Sequence, residues 1–165
     1  MNSMGCGGVE IRMARQGDKH GIVTLVRTCQ PYLTAHMSYI YWIDIRYWWE
    51  TCLVAELGGE VVGWCSIIPV PNGKYLIHQL AVAPGVRRKG LAESLVGYML
   101  DKLKGGQQAA AFEVELTIDR KNGAALGLFK TIAEHAGMRL VKRPEVVVSL
   151  LEEECDEELY VMTAA

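Results

Sequence analysis

One short segment near the middle of the chain constrains the fold most. An apolar strand, predicted from Tyr75 to Ala83, runs into a basic turn, Arg87-Arg88-Lys89-Gly90, and then into a helix predicted from Leu91 to Leu103. N–H groups at a helix start have no helical acceptor, and the helix dipole adds partial positive charge there. Gly90 and the small Ala92 leave room for an anion. The segment can hold a pyrophosphate, although a basic surface turn before an ordinary helix fits the same residues.

The rest of the chain alternates strands and helices, which predicts a mixed α/β sheet domain. A first strand, Val9–Met13, precedes a helix that Asp18 caps, that carries Ile22, Leu25 and Val26 on one side, and that Pro31 ends. An aromatic helix is predicted at Tyr39–Trp49, and a hairpin around Gly58-Gly59-Glu60 joins the strands Thr51–Leu57 and Val61–Ile68. In the second half we predict a strand at Ala111–Ile118, a helix at Asn122–Ala136 and two terminal strands at Val146–Leu151 and Leu159–Thr163. The acidic run Glu152–Glu158 between the last two strands is predicted to be a solvated loop. We expect residues 1–8 to be flexible and residues 9–165 to form one domain.

Composition excludes several classes of protein. Seventeen basic and nineteen acidic residues in a chain of 165 give a formal charge of −2, which argues against a nucleic-acid partner. The chain has no apolar run of about 18 residues and no secretory pattern at its start, so we expect neither a membrane partner nor export. Five widely spaced cysteines without a Cys-x-x-Cys pair predict reduced thiols, no metal site and a cytoplasmic protein.

Two motifs carry a resemblance to a known family. Val82-Ala83-Pro84 ends a strand, and Arg87-x-x-Gly90-x-Ala92 follows it. Asn122-x-x-Ala125-x-x-Leu128-Phe129 begins a second helix about 30 residues later, and Gly137-Met138 follows that helix. In this order the motifs resemble the GNAT family of N-acetyltransferases.

The resemblance implies a fold, a co-substrate and an assembly. The family fold is a mixed, mostly antiparallel twisted sheet flanked by helices, and the co-substrate is acetyl-CoA, with no metal. Its implied binding residues line the pantetheine arm, the pyrophosphate and the rest of the coenzyme: Leu80, Ala81, Val82, Arg87, Arg88, Lys89, Gly90, Leu91, Ala92, Asn122 and Phe129. Members often dimerise near the C-terminus, and Val146–Leu151 is compatible with a homodimer.

Most of the chain also resembles the diaminobutyrate acetyltransferases of ectoine synthesis. The resemblance lies in Glu50–Glu56, Val61–Trp64, His78–Val82 and Glu157–Tyr160. The chain departs from that pattern around the amino acid pocket. Thr34 replaces an Asp, His36 replaces an Asn and His78 replaces a Trp, whereas Tyr39 and Glu157 are kept. Because Thr34 replaces an Asp, the pocket has one carboxylate fewer to pair with a cationic diamine. The substrate can therefore be 2,4-diaminobutyrate or another small amine or amino acid.

The implied substrate-binding residues are therefore Thr34, His36, Tyr39, His78 and Glu157. Tyr39 can equally be a packing aromatic of its helix, and Glu157 a solvated carboxylate.

The residues that transfer protons in many relatives are replaced in this chain. The strand position where they carry a glutamate base is Leu76, and Phe129 stands where they carry a tyrosine acid. His78 lies two residues after Leu76 on the same strand face, and an imidazole is the side chain whose unperturbed pKa suits a base at neutral pH, so His78 is our candidate base. A core histidine, or one that only shapes the pocket, fits the sequence as well. Tyr39, Tyr41 or solvent would then protonate the leaving thiolate.

The sequence thus predicts an acetyl-CoA-dependent N-acetyltransferase that acts on the amine of a small amino acid or diamine by direct acyl transfer. Two alternatives stay open. One is a protein or peptide N-acetyltransferase, which would need an open groove where the aromatic segment Pro31–Trp49 lies. The other is a non-catalytic, regulatory module that binds acyl-CoA, which the missing glutamate and tyrosine motivate.

Overall fold

The computed structural model describes residues 5–6, 8–31, 33, 35–105, 112–148 and 156–165, with backbone alone at 5–6, 145–148 and 156. Within these residues the chain forms eight strands and four α-helices. They group into two compact units. The first contains the residues up to Ile68 together with His78–Met99, and the second contains Pro69–Ile77 together with Leu100–Ala165. The prediction of one domain over residues 9–165 stays a prediction.

The first unit holds a mostly antiparallel set of strands and three helices. Strands β1 to β5 are hydrogen-bonded neighbours in chain order, and β1–β2, β2–β3 and β3–β4 pair antiparallel. The elements that lie wholly or partly in this unit are β1 Gly5–Cys6, β2 Val9–Met13, α1 Lys19–Arg27, α2 Ser38–Trp48, β3 Cys52–Leu57, β4 Glu60–Val70, β5 Lys74–Val82 and α3 Leu91–Lys104. The predicted elements of this half are thus confirmed, with boundaries that shift by at most three residues.

Helix α1 buries the predicted side, because Ile22, Leu25 and Val26 are all at most 3% exposed. The helix ends at Arg27, however, before it reaches Pro31. Asp18 stands at its N-cap, but its carboxylate accepts from the Arg12 guanidinium and from the Arg15 backbone N–H. Burial alone would raise the pKa of Asp18, yet these hydrogen bonds outweigh it and hold that pKa below its ordinary value.

A glycine lets helix α3 approach the strands closely. Gly63 on β4 pairs with Ala55 on β3. A Cβ built at Gly63 would lie 2.8 Å from the Ala55 Cβ and 3.0 Å from the Leu95 Cδ1. Leu91 and Leu95, which come from the first two turns of α3, are buried. The absence of a side chain at Gly63 therefore sets how near the start of α3 lies to β3 and β4.

Three cysteine thiols lie in the core of the first unit. Cys29 is 8% exposed, and Cys52 and Cys65 are fully buried and free. Burial raises the pKa of the Cys52 thiol to about 12 and raises the pKa of the Cys65 thiol as well. The Cys52 and Cys65 thiols therefore stay protonated at neutral pH and behave as small apolar side chains.

The second unit combines part of β5 with three further strands and one helix. Its strand order is β5-β6-β8-β7, where β6 is Val114–Asp119, β7 is Met138–Val148 and β8 is Asp156–Ala164. The pair β5–β6 is parallel, and the pairs β6–β8 and β7–β8 are antiparallel. Helix α4, Gly123–His135, lies between β6 and β7 in the chain. The predicted mixed, mostly antiparallel sheet with flanking helices is confirmed.

The C-terminal strands differ from the sequence prediction. Strand β7 begins at Met138, eight residues before the predicted start at Val146. Its register with β8 shifts between Lys142 and Val146, and Pro144 falls in that irregular stretch. A proline without an N–H is tolerated at such a bulge. Residues 149–155, which include the end of the predicted strand and the start of the acidic run, lie outside the described residues. The end of that run is not a solvated loop, because Glu158 lies on β8 and is 9% exposed.

The described residues contain neither a membrane-spanning helix nor a cluster of metal-binding side chains. None of their helices combines the length and the hydropathy that a bilayer span requires. No group of three or more histidine, cysteine or acidic side chains among them could hold a metal ion.

Candidate active site

Strand β5 presents His78 on its less buried face. Ile77, Gln79 and Ala81 are at most 7% exposed, whereas the residues between them are partly exposed. The predicted alternation is therefore confirmed, and Leu76, His78 and Leu80 share one face. Leu80 and Val82 end the strand that leads into the basic turn.

The basic turn has the backbone geometry of an anion site. Arg88 and Gly90 have positive φ angles of 62° and 77°. The first helical hydrogen bond of α3 runs from the Ser94 N–H to the Gly90 carbonyl, and the Ser94 hydroxyl donates to the same oxygen. The N–H groups at the start of α3, including those of Leu91 and Ala92, precede that bond and have no helical acceptor. All four residues of the turn are exposed.

The three cations of the turn are not equivalent. The Arg87 Nε donates to the backbone carbonyl of Val82 at 2.9 Å, which connects the turn to the end of β5. Arg88 and Lys89 are exposed. Arg87 therefore holds the turn in place through a hydrogen bond in addition to carrying charge.

His78 is paired with a buried carboxylate that sequence reasoning missed. Its Nδ1 lies 2.8 Å from the Oδ2 of Asp44, a residue of α2 that is 2% exposed. The Ser66 hydroxyl donates to the same Oδ2 at 2.8 Å, and the Cys52 thiol contacts the Ser66 hydroxyl at 3.7 Å. One signal in the sequence could have revealed Asp44: a single acid at a position that shares the buried face of α2 with Tyr41 and Ile45.

His36 lies directly against His78. The two rings are stacked, with centroids 5.2 Å apart and planes inclined by 17°. Burial lowers the pKa of His36 and the neighbouring His78 lowers it further, while Asp44 acts in the opposite direction. The His36 backbone N–H donates to the Tyr41 hydroxyl at 3.2 Å, and burial raises the pKa of that fully buried tyrosine. Two of the predicted substrate residues, His36 and His78, are thus together.

The contacts described for Tyr39 differ from those of the histidine pair. Tyr39 is 59% exposed and stacks on Trp42, with ring centroids 5.6 Å apart, so its neighbour is an aromatic side chain of its own helix. The tyrosine whose ring lies beside His36 is Tyr41. Thr34 lies outside the described residues.

In the second unit, Asn122 stands at the N-cap of α4 and Phe129 lies in the middle of that helix. The Asn122 Oδ1 accepts from the Ala125 N–H at 3.0 Å, so this side chain caps the helix. Phe129 is 7% exposed and faces the core of that unit.

Glu157 and Glu158 are neighbours on β8 with different surroundings. Glu157 is partly exposed and pairs in register with Asp119. Glu158 accepts from the Lys142 Nζ at 2.6 Å and from the Tyr160 hydroxyl at 3.0 Å, and the Arg120 Nε lies 3.3 Å away. The bonds from Lys142 and Tyr160 hold the pKa of Glu158 below its ordinary value.

The strand, the basic turn and the helix after it are the features by which an acyl-CoA-dependent acetyltransferase is recognised. Residues 20–132 match the model of the acetyltransferase (GNAT) family. The chain belongs to this family, which confirms the resemblance that the two motifs indicated.

Several relatives within the family share one activity. The L-2,4-diaminobutyric acid acetyltransferase of Halomonas elongata is 32% identical over 127 residues, which are 75% of this chain and 64% of that protein. The enzyme of the same name from Vibrio cholerae is 30% identical over 128 residues, 76% of this chain and 72% of that protein. The chain thus spans less than two thirds of the length of the Halomonas relative.

Solved structures agree on the fold. The diaminobutyrate acetyltransferase EctA from Paenibacillus lautus, in complex with L-2,4-diaminobutyric acid and coenzyme A, has a TM-score of 0.82 and 25% identity, and the match covers 94% of each chain. Ard1 from Thermoplasma volcanium has a TM-score of 0.78 at 16% identity, over 96% of this chain and 99% of Ard1, which is a likeness of fold.

Proposed function

We propose that the protein is an acetyl-CoA-dependent N-acetyltransferase that acts on the amine of a small amino acid or diamine. L-2,4-Diaminobutyrate is the first candidate substrate. The observation that carries the proposal is the basic turn at the start of α3, which follows β5 in a chain of the GNAT family. The similarity to a diaminobutyrate acetyltransferase over 94% of both chains supports the candidate substrate.

The basic turn fits the diphosphate of acetyl-CoA, which supplies an acetyl group as a thioester. The N–H groups of Leu91 and Ala92, which have no acceptor within the helix, offer donors to phosphate oxygens. Gly90 has no side chain above that helix start, and its positive φ is one that glycine adopts without strain. Arg88 and Lys89 add charge. Leu80, Ala81 and Val82 are proposed to pair with the pantetheine arm, and Asn122 and Phe129 to lie along the coenzyme.

His78 is proposed as the general base. An ammonium substrate must lose a proton before its nitrogen can attack a carbonyl carbon, and an imidazole nitrogen can accept that proton near neutral pH. The nitrogen then forms the amide bond as the carbon–sulfur bond breaks, and the thiolate takes a proton from solvent. The sequence leaves Tyr39, Tyr41 and solvent as candidates for the acid. Tyr39 is exposed and stacked on Trp42, and Tyr41 is fully buried, which favours solvent for this step.

The substrate pocket is proposed to include Thr34, His36, Tyr39, His78 and Glu157. His36 stacks on His78, so a substrate that reaches the base contacts His36 as well. Glu157 is the carboxylate that would pair with the second charge of a diamine. An amine without that second charge would not need it.

The first experiment measures CoA release from acetyl-CoA against a panel of amines, with product masses recorded. The panel holds 2,4-diaminobutyrate, diaminopropionate, ornithine, lysine, monoamino acids, polyamines, aminoglycosides and short peptides. We expect turnover with a small amino acid or diamine, and a strong preference for 2,4-diaminobutyrate supports the candidate substrate. Turnover with another small amine alone would replace that candidate. Turnover with peptides alone, or binding of acetyl-CoA without turnover, would refute the proposal.

Two further proposals concern assembly and location. We propose a homodimer, which light scattering on the purified protein tests directly. We also propose that the enzyme works in the cytoplasm, where fractionation of the source cells should recover it. A monomer, or recovery in another fraction, would refute the respective proposal.

A further inference from the structure

The His78–Asp44 pair belongs to a chain of hydrogen bonds that reaches into the core. Asp44 Oδ2 lies 2.8 Å from His78 Nδ1 and accepts a hydrogen bond of 2.8 Å from the Ser66 hydroxyl. The Ser66 hydroxyl oxygen in turn accepts a hydrogen bond of 3.7 Å from the Cys52 thiol. Cys52 and Ser66 are fully buried, Asp44 is 2% exposed, and only His78 has a partly exposed side chain, at 24%.

The direction of these hydrogen bonds determines which atoms of His78 and Ser66 carry protons. When the Asp44 carboxylate is ionised it only accepts, and His78 Nδ1 then donates to it and carries the ring proton. Ser66 has one proton, and because its oxygen accepts from the Cys52 thiol, that proton is directed to Asp44. In neutral His78 the lone pair is therefore left on Nε2, the nitrogen that does not contact Asp44.

A buried carboxylate is costly unless it is paired and hydrogen-bonded, and Asp44 satisfies that condition through His78 and Ser66. The same carboxylate stabilises positive charge on the ring when Nε2 accepts a proton. An unpaired histidine would share its proton between both nitrogens and would turn freely about its side-chain bonds.

We propose that Asp44 is the positioning residue of the reaction, which holds His78 in the tautomer whose Nε2 accepts the proton of the amine. This inference rests on the proposed function, in which His78 is the base. Asp44 itself acts through His78.

Other titratable groups near His78 differ from Asp44 in charge. His36 is stacked on the ring, and its lowered pKa keeps it neutral around pH 7. Tyr41 and Cys52 are buried with raised pKa values, so both stay protonated there. Among these described neighbours, Asp44 is the one that can offer a negative charge to a protonated His78.

The test compares Asp44→Asn with the wild-type chain. The amide keeps the shape of the side chain but removes its charge. We expect kcat to fall about tenfold or more, and the acid limb of its pH profile to move about one unit lower. Ring ¹⁵N spectra, assigned with His78→Gln, provide a readout without substrate, in which the wild-type His78 should show a protonated Nδ1 and the variant a changed pattern.

Asp18→Asn is the matched control. It also replaces a hydrogen-bonded carboxylate of the first unit, but its partners are Arg12 and Arg15. It should leave kcat, the pH profile and the His78 spectrum as in the wild type, and thermal unfolding should show whether both variants fold.

The outcomes separate the inference from the proposed function. If Asp44→Asn folds and keeps both the wild-type acid limb of the kcat pH profile and the wild-type ¹⁵N spectrum of the His78 ring, the proposed role of Asp44 is overturned. Full activity of His78→Gln overturns it too, while the N-acetyltransferase proposal survives. Absence of turnover on every amine refutes the proposed function instead, and the ring pattern then decides whether Asp44 holds the tautomer.

Discussion

Gly63→Ala adds a single methyl group, and we expect this change to destabilise the first unit. The new Cβ would lie 2.8 Å from the Ala55 Cβ and 3.0 Å from the Leu95 Cδ1. Carbon atoms attract one another best at about 3.5–4.0 Å, so the two strands would have to separate by about 0.7 Å. The Ala55 Cβ is fixed to the backbone of the adjacent strand, so it cannot turn away.

Overpacking of this kind costs about 1–3 kcal/mol in the free energy of unfolding. For a domain of this size, 2 kcal/mol lowers the melting temperature by about 4–8 °C. Because Leu91 and Leu95 pack above Gly63, the displacement also reaches the start of α3. We therefore expect weaker binding of acetyl-CoA by Gly63→Ala, measured by calorimetry below its melting temperature.

Gly97→Ala is the matched control within α3. A Cβ at Gly97 meets no atom within 4 Å. Alanine in a helix interior is favoured over glycine by about 0.5–1 kcal/mol, so this variant should be more stable than the wild type. Urea unfolding of both variants checks the opposite signs. A Gly63→Ala chain as stable as Gly97→Ala would refute the packing argument.

Three further predictions concern single residues. His78→Ala should lower kcat about 100-fold at saturating substrate, and a loss below tenfold would show that His78 is not the base. Gly90→Ala should weaken acetyl-CoA binding about 5- to 30-fold in calorimetry, because the positive φ costs other residues about 1–2 kcal/mol; unchanged binding would contradict this. Asp18→Asn should lower the free energy of unfolding by about 2 kcal/mol at pH 7. Since the folded pKa of Asp18 is depressed, its ionised form stabilises the fold above the unfolded pKa, and this contribution disappears as the pH falls through the folded pKa. The effect of Asp18→Asn in urea unfolding should therefore shrink at acidic pH, and an effect that does not change with pH would count against the ion pair.

The strand, basic turn and helix could be predicted because their signals are local. Apolar alternation marks β5, a glycine marks the turn, and a 3.6-residue period marks α3. The same alternation placed Leu76, His78 and Leu80 on one face, as observed. The hydrogen bond of Arg87 to Val82 carries no such signal, so the sequence treats Arg87, Arg88 and Lys89 as equivalent.

The His78–Asp44 pair could not be predicted by that method. Asp44 lies 34 residues before His78 and 22 residues before Ser66. Only the packing of α2 in the first unit brings the three side chains together. The aromatic composition of α2 also drew attention to Tyr39, which is exposed, rather than to the buried face that holds Tyr41 and Asp44.

Strand β7 was predicted to begin too late because its first half is basic. Arg139, Lys142 and Arg143 interrupt the apolar pattern, and Pro144 argues against a strand. β7 lies at one end of the described strand order, where charged residues and proline are tolerated. Pairing with β8 supplies the hydrogen bonds that local propensity does not predict.

The buried cysteines make the opening of the first unit measurable. Cys29, Cys52 and Cys65 are free and buried in that unit, so a thiol reagent reaches them when the core around them opens. Their labelling rate at increasing urea then reports the free energy of that opening, separately from chemistry at the active site. Cys52 adjoins Ser66, and Cys29 donates to the Val82 carbonyl at 3.5 Å, so two of the three thiols sample the neighbourhoods of the base and of the turn. Ligands that slow the labelling of one thiol more than another would reveal which neighbourhood they stabilise.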